Sequence, residues 1–204
     1  MAGLLSNFRN TVIVSVILAL IVLFAYSTGP QGAGPVFWQG VFRWLHVFFG
    51  ILWIGLLYYF NFVQIRVMPA VPAELKPGVS KYIAPEALFW FRWAALITVI
   101  MGLVIAGSRG YTVQTLTFGQ VGETDPASMK QHALLGLGMW LGIIMMINVW
   151  GFIWPNQKRA LGLVEADADT KAKSARLAML FSRTNMLLSI PMLVSMTMSQ
   201  TIFG

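Results

Sequence analysis

The sequence contains no cysteine. That excludes disulfides, iron–sulfur clusters held by thiolates, and haem attached covalently through C-x-x-C-H. Charge is scarce too: charged residues make up 10% of the 204, against about 25% in a soluble domain. There are seven acids (Glu74, Glu86, Glu123, Asp125, Glu165, Asp167, Asp169), and all read as loop residues. No apolar run holds a carboxylate, which excludes paired-acid chemistry of the glycosidase kind and a buried acid path for protons or cations. Histidine occurs twice, at His46 and His132.

What is abundant is apolar sequence: 57% of residues are hydrophobic and the mean hydropathy is +0.72. Five apolar stretches stand out, 11–27, 37–60, 88–107, 132–154 and 180–203. Each approaches the roughly 20 residues that a membrane-spanning helix needs. The first is the shortest, but no small-x-small cleavage site follows it, so a retained helix is expected rather than a signal peptide. The length suits one membrane domain over 1–204.

The loops suggest an orientation. Arg9 precedes the first stretch, Arg66, Lys76 and Lys81 fall in 62–87, and Lys158, Arg159, Lys171, Lys173 and Arg176 fall in 156–179. The alternate loops are poor in positive charge: 28–36 has none and 108–131 only Arg109 and Lys130. The positive-inside rule then predicts a cytoplasmic N-terminus and an external C-terminus. The net charge of +7 is accounted for by this topology, with contact to anionic headgroups of the lipid bilayer, and not by nucleic-acid binding.

Inside the apolar stretches the ionisable residues are Arg43, His46, Arg92 and Arg183, with His132 at the mouth of the fourth. The histidines share a motif. His46-VFF-Gly50-IL-Trp53-I-Gly55 and His132-ALL-Gly136-LGM-Trp140-L-Gly142 both fit H-x3-G-x(2,3)-W-[IL]-G. Asn61 lies 15 residues after His46 and Asn148 lies 16 after His132. Each following stretch opens with an arginine among apolar residues, Arg92 and Arg183. The pattern reads as a tandem duplication, 37–107 and 126–203, in which each copy crosses twice and both share one orientation. Chance remains an alternative, because glycine and tryptophan are common in membrane helices.

The expected fold is therefore an all-α integral membrane protein of five spanning helices, a four-helix bundle of two repeats plus an N-terminal helix. His46 lies about nine residues into its stretch, roughly 13 Å deep. If Asp125 is an N-cap and Pro126 the first helical residue, His132 sits about two turns in, at a similar level. Two neutral imidazoles across a bundle core can be the axial ligands of haem b. Gly50 and Gly136, four residues on, would leave room for the macrocycle, with Trp53 and Trp140 beside it. Arg43 could pair with a propionate, since a guanidinium binds a carboxylate bidentately. Structural hydrogen bonding by the histidines stays open, as does another metal. Zinc wants about four ligands, and the methionines are more commonly packing residues than copper ligands.

A second polar group, Asn61, Gln64, Arg92, Asn148, Arg183 and Asn185, reads as lying near the cytoplasmic face. It is either an anion or quinone headgroup site, or arginines reaching for the interface and amides tying helices together.

The runs RWLHVFFGILWIGLLYYFNFVQ and INVWGFIWPNQK resemble the membrane domain of the bacterial membrane-bound urate oxidase (urate hydroxylase) family. A more distant likeness, a membrane histidine followed by W-x-G, extends to haem-binding membrane proteins of the protoporphyrinogen oxidase and copper-resistance type. The resemblance implies a bacterial inner-membrane protein in redox work, with His46 at the family's characteristic histidine. The urate enzymes carry a C-terminal cytochrome c, which a chain without cysteine does not supply. Three readings follow: a haem b electron-transfer subunit of a respiratory complex, partnered by other membrane subunits or a cytochrome; a haem-free structural or assembly subunit; or an oxidase of urate or a similar heterocycle.

Overall fold

The computed structural model describes residues 2–29 and 32–203, and no strand occurs among them. The chain divides into two compact units, 1–41 and 42–204. Among the described residues five helices are long and apolar enough to cross a membrane, so the chain is built as a multi-pass membrane protein.

The first unit is dominated by α1 (Phe8–Ser27), capped by Asn7, whose side chain accepts from Asn10 N at 3.2 Å. It is apolar all round and none of its residues is buried. Such a helix suits lipid on every side.

The four later apolar stretches prove to be parts of longer helices, the first of which begins at Pro35 in the first unit and continues into the second. α2 (Pro35–Tyr58) runs on through a π-helical turn, Tyr59–Gln64, to Ala70. α3 (Ala84–Arg109) is entered through another, Val79–Ile83, and ends at Gly110 with φ 78°. A short helix, α4 (Thr112–Leu116), lies in the next connection. α5 (Pro126–Ile147) continues through a third π turn, Asn148–Ile153, to Ala160. α6 (Ala168–Ile202) is unbroken. The expected start of the fourth span is found: Asp125 caps α5 and Pro126 is its first residue. Two acids read as loop residues are helical instead. Glu86 lies in the first turn of α3, where its Oε1 accepts from Trp90 Nε1 at 2.9 Å, and Asp169 lies in the first turn of α6.

α6 packs along α5, and α3 and α4 also contact α5. The buried face of α6 is mostly small or polar: Ser174, Ala178, Ser182, Asn185, Ser189, Ser195 and Ser199, with Met192 the one bulky apolar member. In a membrane, where lipid is as apolar as leucine, close approach of small residues holds helices together better than bulky side chains. The partner on α5 is Gly138, where a Cβ would stand 3.1 Å from Ser195 Cβ and from Met196 Cγ. Trp53, Leu57, Phe91, Met145 and Val149 fill the centre of the unit.

The caps of α5 and α6 carry a pH dependence. Donation from the Ser128 backbone and hydroxyl, both at 2.8 Å, holds the Asp125 carboxyl below its ordinary range. The Thr170 hydroxyl at 2.6 Å and its N–H at 2.8 Å do the same for Asp167. A carboxyl with a lowered folded-state pKa stabilises above its ordinary value, and that contribution is lost as pH falls through the lowered one. Amide exchange at Ser128 and Thr170 is expected to accelerate relative to mid-helix amides under acid. Asn at 125 and 167 should abolish the difference, and equal acceleration in those variants would count against the caps.

Candidate functional site

His46 is held by α3. Its Nδ1 lies 2.8 Å from the Thr98 carbonyl oxygen, and since a carbonyl only accepts, Nδ1 carries the proton and Nε2 keeps its lone pair. The ring fits because residue 102 is glycine: a Cβ there would stand 3.0 Å from His46 Cε1 and 3.2 Å from Nδ1. At Gly50, one turn on, a Cβ would meet Thr98 Cγ2 at the ordinary distance of 3.7 Å. The first motif is thus a packing surface for α3 that also fixes the tautomer of its histidine.

His132 is oriented by the connection between α3 and α5. Its Nδ1 is 3.2 Å from Glu123 Oε2. That is ion-pair distance, but the N–H is not aligned on the oxygen, so the contact is electrostatic rather than a hydrogen bond. Its ring lies 6.0 Å from that of Tyr111, tilted by 30°. Burial pushes the Tyr111 phenol up, against an opposing pull from the guanidiniums of Arg109 and Arg43.

The second motif is used differently from the first. The space beside Gly136 is filled by the Thr115 backbone carbonyl, with Phe118 Cδ1 next to it. Trp140 donates its Nε1–H to Leu116 O at 3.0 Å. Both residues, expected on a cofactor face, hold α4 against α5 instead. The motif tryptophans also part company: Trp53 is 1% exposed and Trp140 40%. Among the described residues no three His, Asp or Glu side chains converge on a point.

The second polar group is not one cluster. Arg92 stacks its guanidinium 3.9 Å over the Trp154 ring, with Phe89 on another side at 5.2 Å. Arg183 is exposed. Asn148 Nδ2 donates to Asn185 Oδ1 and Asn185 Nδ2 to Met145 O, both at 2.9 Å. Asn61 Nδ2 donates to Leu57 O at 2.9 Å and to Ser182 Oγ at 3.0 Å. The asparagines thus tie α2 and α5 to α6 at their π turns. Close to Asn61 lies a cavity of about 210 Å³, lined by Gln64, Gln157 and Ser182 among apolar walls that include Phe60, Phe91 and Ala178.

No protein-family model, curated protein or solved structure matches the chain. The residues that the motifs did not announce are Thr98, Gly102, Tyr111 and Glu123. A backbone acceptor such as Thr98 O leaves no mark in a sequence. Gly102 does leave one, as a small residue one turn from a threonine on the helix that must receive a histidine.

Proposed function

We propose that this chain is a membrane redox subunit that holds haem b non-covalently through His46 and His132. The observation that supports this most is what each ring does with Nδ1. Histidines that ligate metals characteristically give their other nitrogen to a backbone carbonyl or a carboxylate, which fixes the tautomer and raises ligand basicity. His46 gives Nδ1 to the Thr98 carbonyl and His132 faces Glu123 with its own. Nε2 of His46 is then the nitrogen available to iron, while His132 has the Glu123 carboxylate beside Nδ1 without a hydrogen bond to it. Bound haem would supply a reversible one-electron couple. The chain's part is to hold the two imidazoles, while Arg43 and Arg109 offer guanidiniums to propionates. Gly136 and Trp140 have no part in that site, because the 112–118 segment uses them.

The accompanying topology is N-in and C-out, a four-helix bundle of two repeats plus the N-terminal helix α1. The positive-inside asymmetry supports the orientation. The π turns at 59–64 and 148–153 support the repeat, since each falls in the first helix of its copy and holds an asparagine bonded to α6. The resemblance to the urate oxidase membrane domain supports a bacterial inner membrane, with further subunits or a cytochrome as electron partners. It also leaves urate or a similar heterocycle as the candidate reductant. The competing reading is a haem-free assembly subunit, favoured by the occupied space at Gly136.

A dithionite-reduced minus oxidised spectrum of gently purified protein, with a pyridine haemochrome assay, separates the two. A haem b spectrum lost in both His46→Ala and His132→Ala is the expected result. Protein that never carries the pigment would leave the assembly role standing, and variants that keep it would overturn the two histidines as the ligands.

A further inference from the structure

The cavity of about 210 Å³ beside the first π turn lies some 15 residues along α2 from His46, which is roughly 22 Å of helix. Three features of its wall define what it can take. First, no charged side chain lines it, so an occupant is uncharged. Second, its polar lining is unfinished. Gln64 Oε1 is buried with no hydrogen-bond partner, an acceptor waiting for a donor. Ser182, 6% exposed, accepts at Oγ from Asn61, and its hydroxyl hydrogen has no acceptor among the described residues. Third, the apolar part of the wall contains Phe60 and Phe91, packed edge to face at 5.6 Å and 83°. An apolar cavity of about 150 Å³ accepts benzene, so this one has room for a single substituted ring.

We propose that the cavity binds an uncharged hydroxylated aromatic ring, as in the head of a membrane quinol or in a free phenol. A ring hydroxyl donates to Gln64 Oε1 and accepts from the Ser182 hydroxyl, which completes both groups. This rests on the redox reading only for the use made of the ring; the binding does not depend on haem.

The test is calorimetric titration of the full chain in detergent with methylhydroquinone, kept reduced. Binding is expected, weakened about tenfold or more by Gln64→Leu, which keeps the side-chain volume and removes the acceptor. Ala178→Leu, which fills the space, is expected to abolish it. Toluene, the same methylated ring without its hydroxyls, should bind at least tenfold more weakly. No binding to the wild type, equal binding of toluene, or an unchanged Gln64→Leu protein would each overturn the proposal. If Ala178→Leu fails to fold, Gln64→Leu and toluene still decide. The same ring with a decyl tail separates the sources: a large gain marks a membrane quinol, and none marks a soluble phenol. His46→Ala is titrated alongside, since it removes any haem and should leave this binding intact. Loss of the haem signal and loss of ring binding are then separate results.

Discussion

Replacing Gly136 with valine is expected to dislodge α4 from α5 and to cause the largest loss of stability of any single glycine substitution in the second unit. The obstacle to a side chain there is backbone, the Thr115 carbonyl, and not the movable end of a side chain. Thr115 is itself wholly buried and returns its hydroxyl to Tyr111 O at 2.9 Å. On its other side Leu116 O accepts from Trp140. Further on, Gly119, at φ 75°, sits so close to the Met129 carbonyl that it too excludes a Cβ. A segment pinned at three points cannot step back to admit a methyl group. Overpacking typically costs ~1–3 kcal/mol, and an immovable neighbour puts this case at the top of that range or above. Thermal unfolding in detergent and protease cleavage within 110–125 would both report it. Gly55→Ala is the control: nothing lies within 4 Å of its Cβ position, and alanine improves helix propensity by up to about 1 kcal/mol. Unfolding of Gly136→Val at the wild-type temperature, with the segment still protected, would show that the close approach to Thr115 is not a real constraint.

The same contact explains which parts of this protein can be read without a structure. Apolar runs locate helices because each must lie in lipid, and all five were found in that way. They mark only the part immersed in hydrocarbon. α6 begins at Ala168, well before the apolar run at 180, because its first turns carry Lys171, Lys173 and Arg176 beyond it on an Asp167 cap. α2 likewise runs past residue 60 through Asn61 and Gln64. The π turns have no periodicity of their own to read, and a five-residue helix such as α4 is too short to show a pattern. The stripe from Ser174 to Ser199, by contrast, is visible at spacings of three and four as small residues. It is the signal that sets α6 against α5. At the site, composition singled out both histidines as rare polar groups, one within an apolar run and one at the mouth of another. It could not show that the glycine after His132 receives a carbonyl, because backbone carries no residue identity.

Asn185→Ala should cost more than any other loss of a polar side chain between the helices, and its effect should not add to that of Asn148→Ala. Asn185 is fully buried and serves two partners, accepting from Asn148 Nδ2 and donating to Met145 O. Met145 lies three residues before the π turn, in which the backbone reaches five residues back, as Trp154 N–H does to Val149 O. Widening a helix in this way disturbs the ordinary four-residue ladder, and a side-chain amide on a nearby carbonyl offsets part of that disturbance. Interhelical hydrogen bonds in membranes average only ~0.6 kcal/mol, because the unfolded chain in lipid finds partners too. Here one substitution also strands the 8%-exposed Asn148 amide, and an unsatisfied buried group costs ~1–3 kcal/mol. The stranded group outweighs the lost bond. Asn61→Ala should cost less, since Asn61 is only half-buried and one of its two bonds is to its own helix. A double-mutant cycle on 148 and 185, read by unfolding in detergent, is expected to give a coupling of ~1 kcal/mol or more, within the range for residues in direct contact. Strictly additive costs would mean that the two asparagines contribute as packing volumes, and that the π turn holds its shape without the amide from α6.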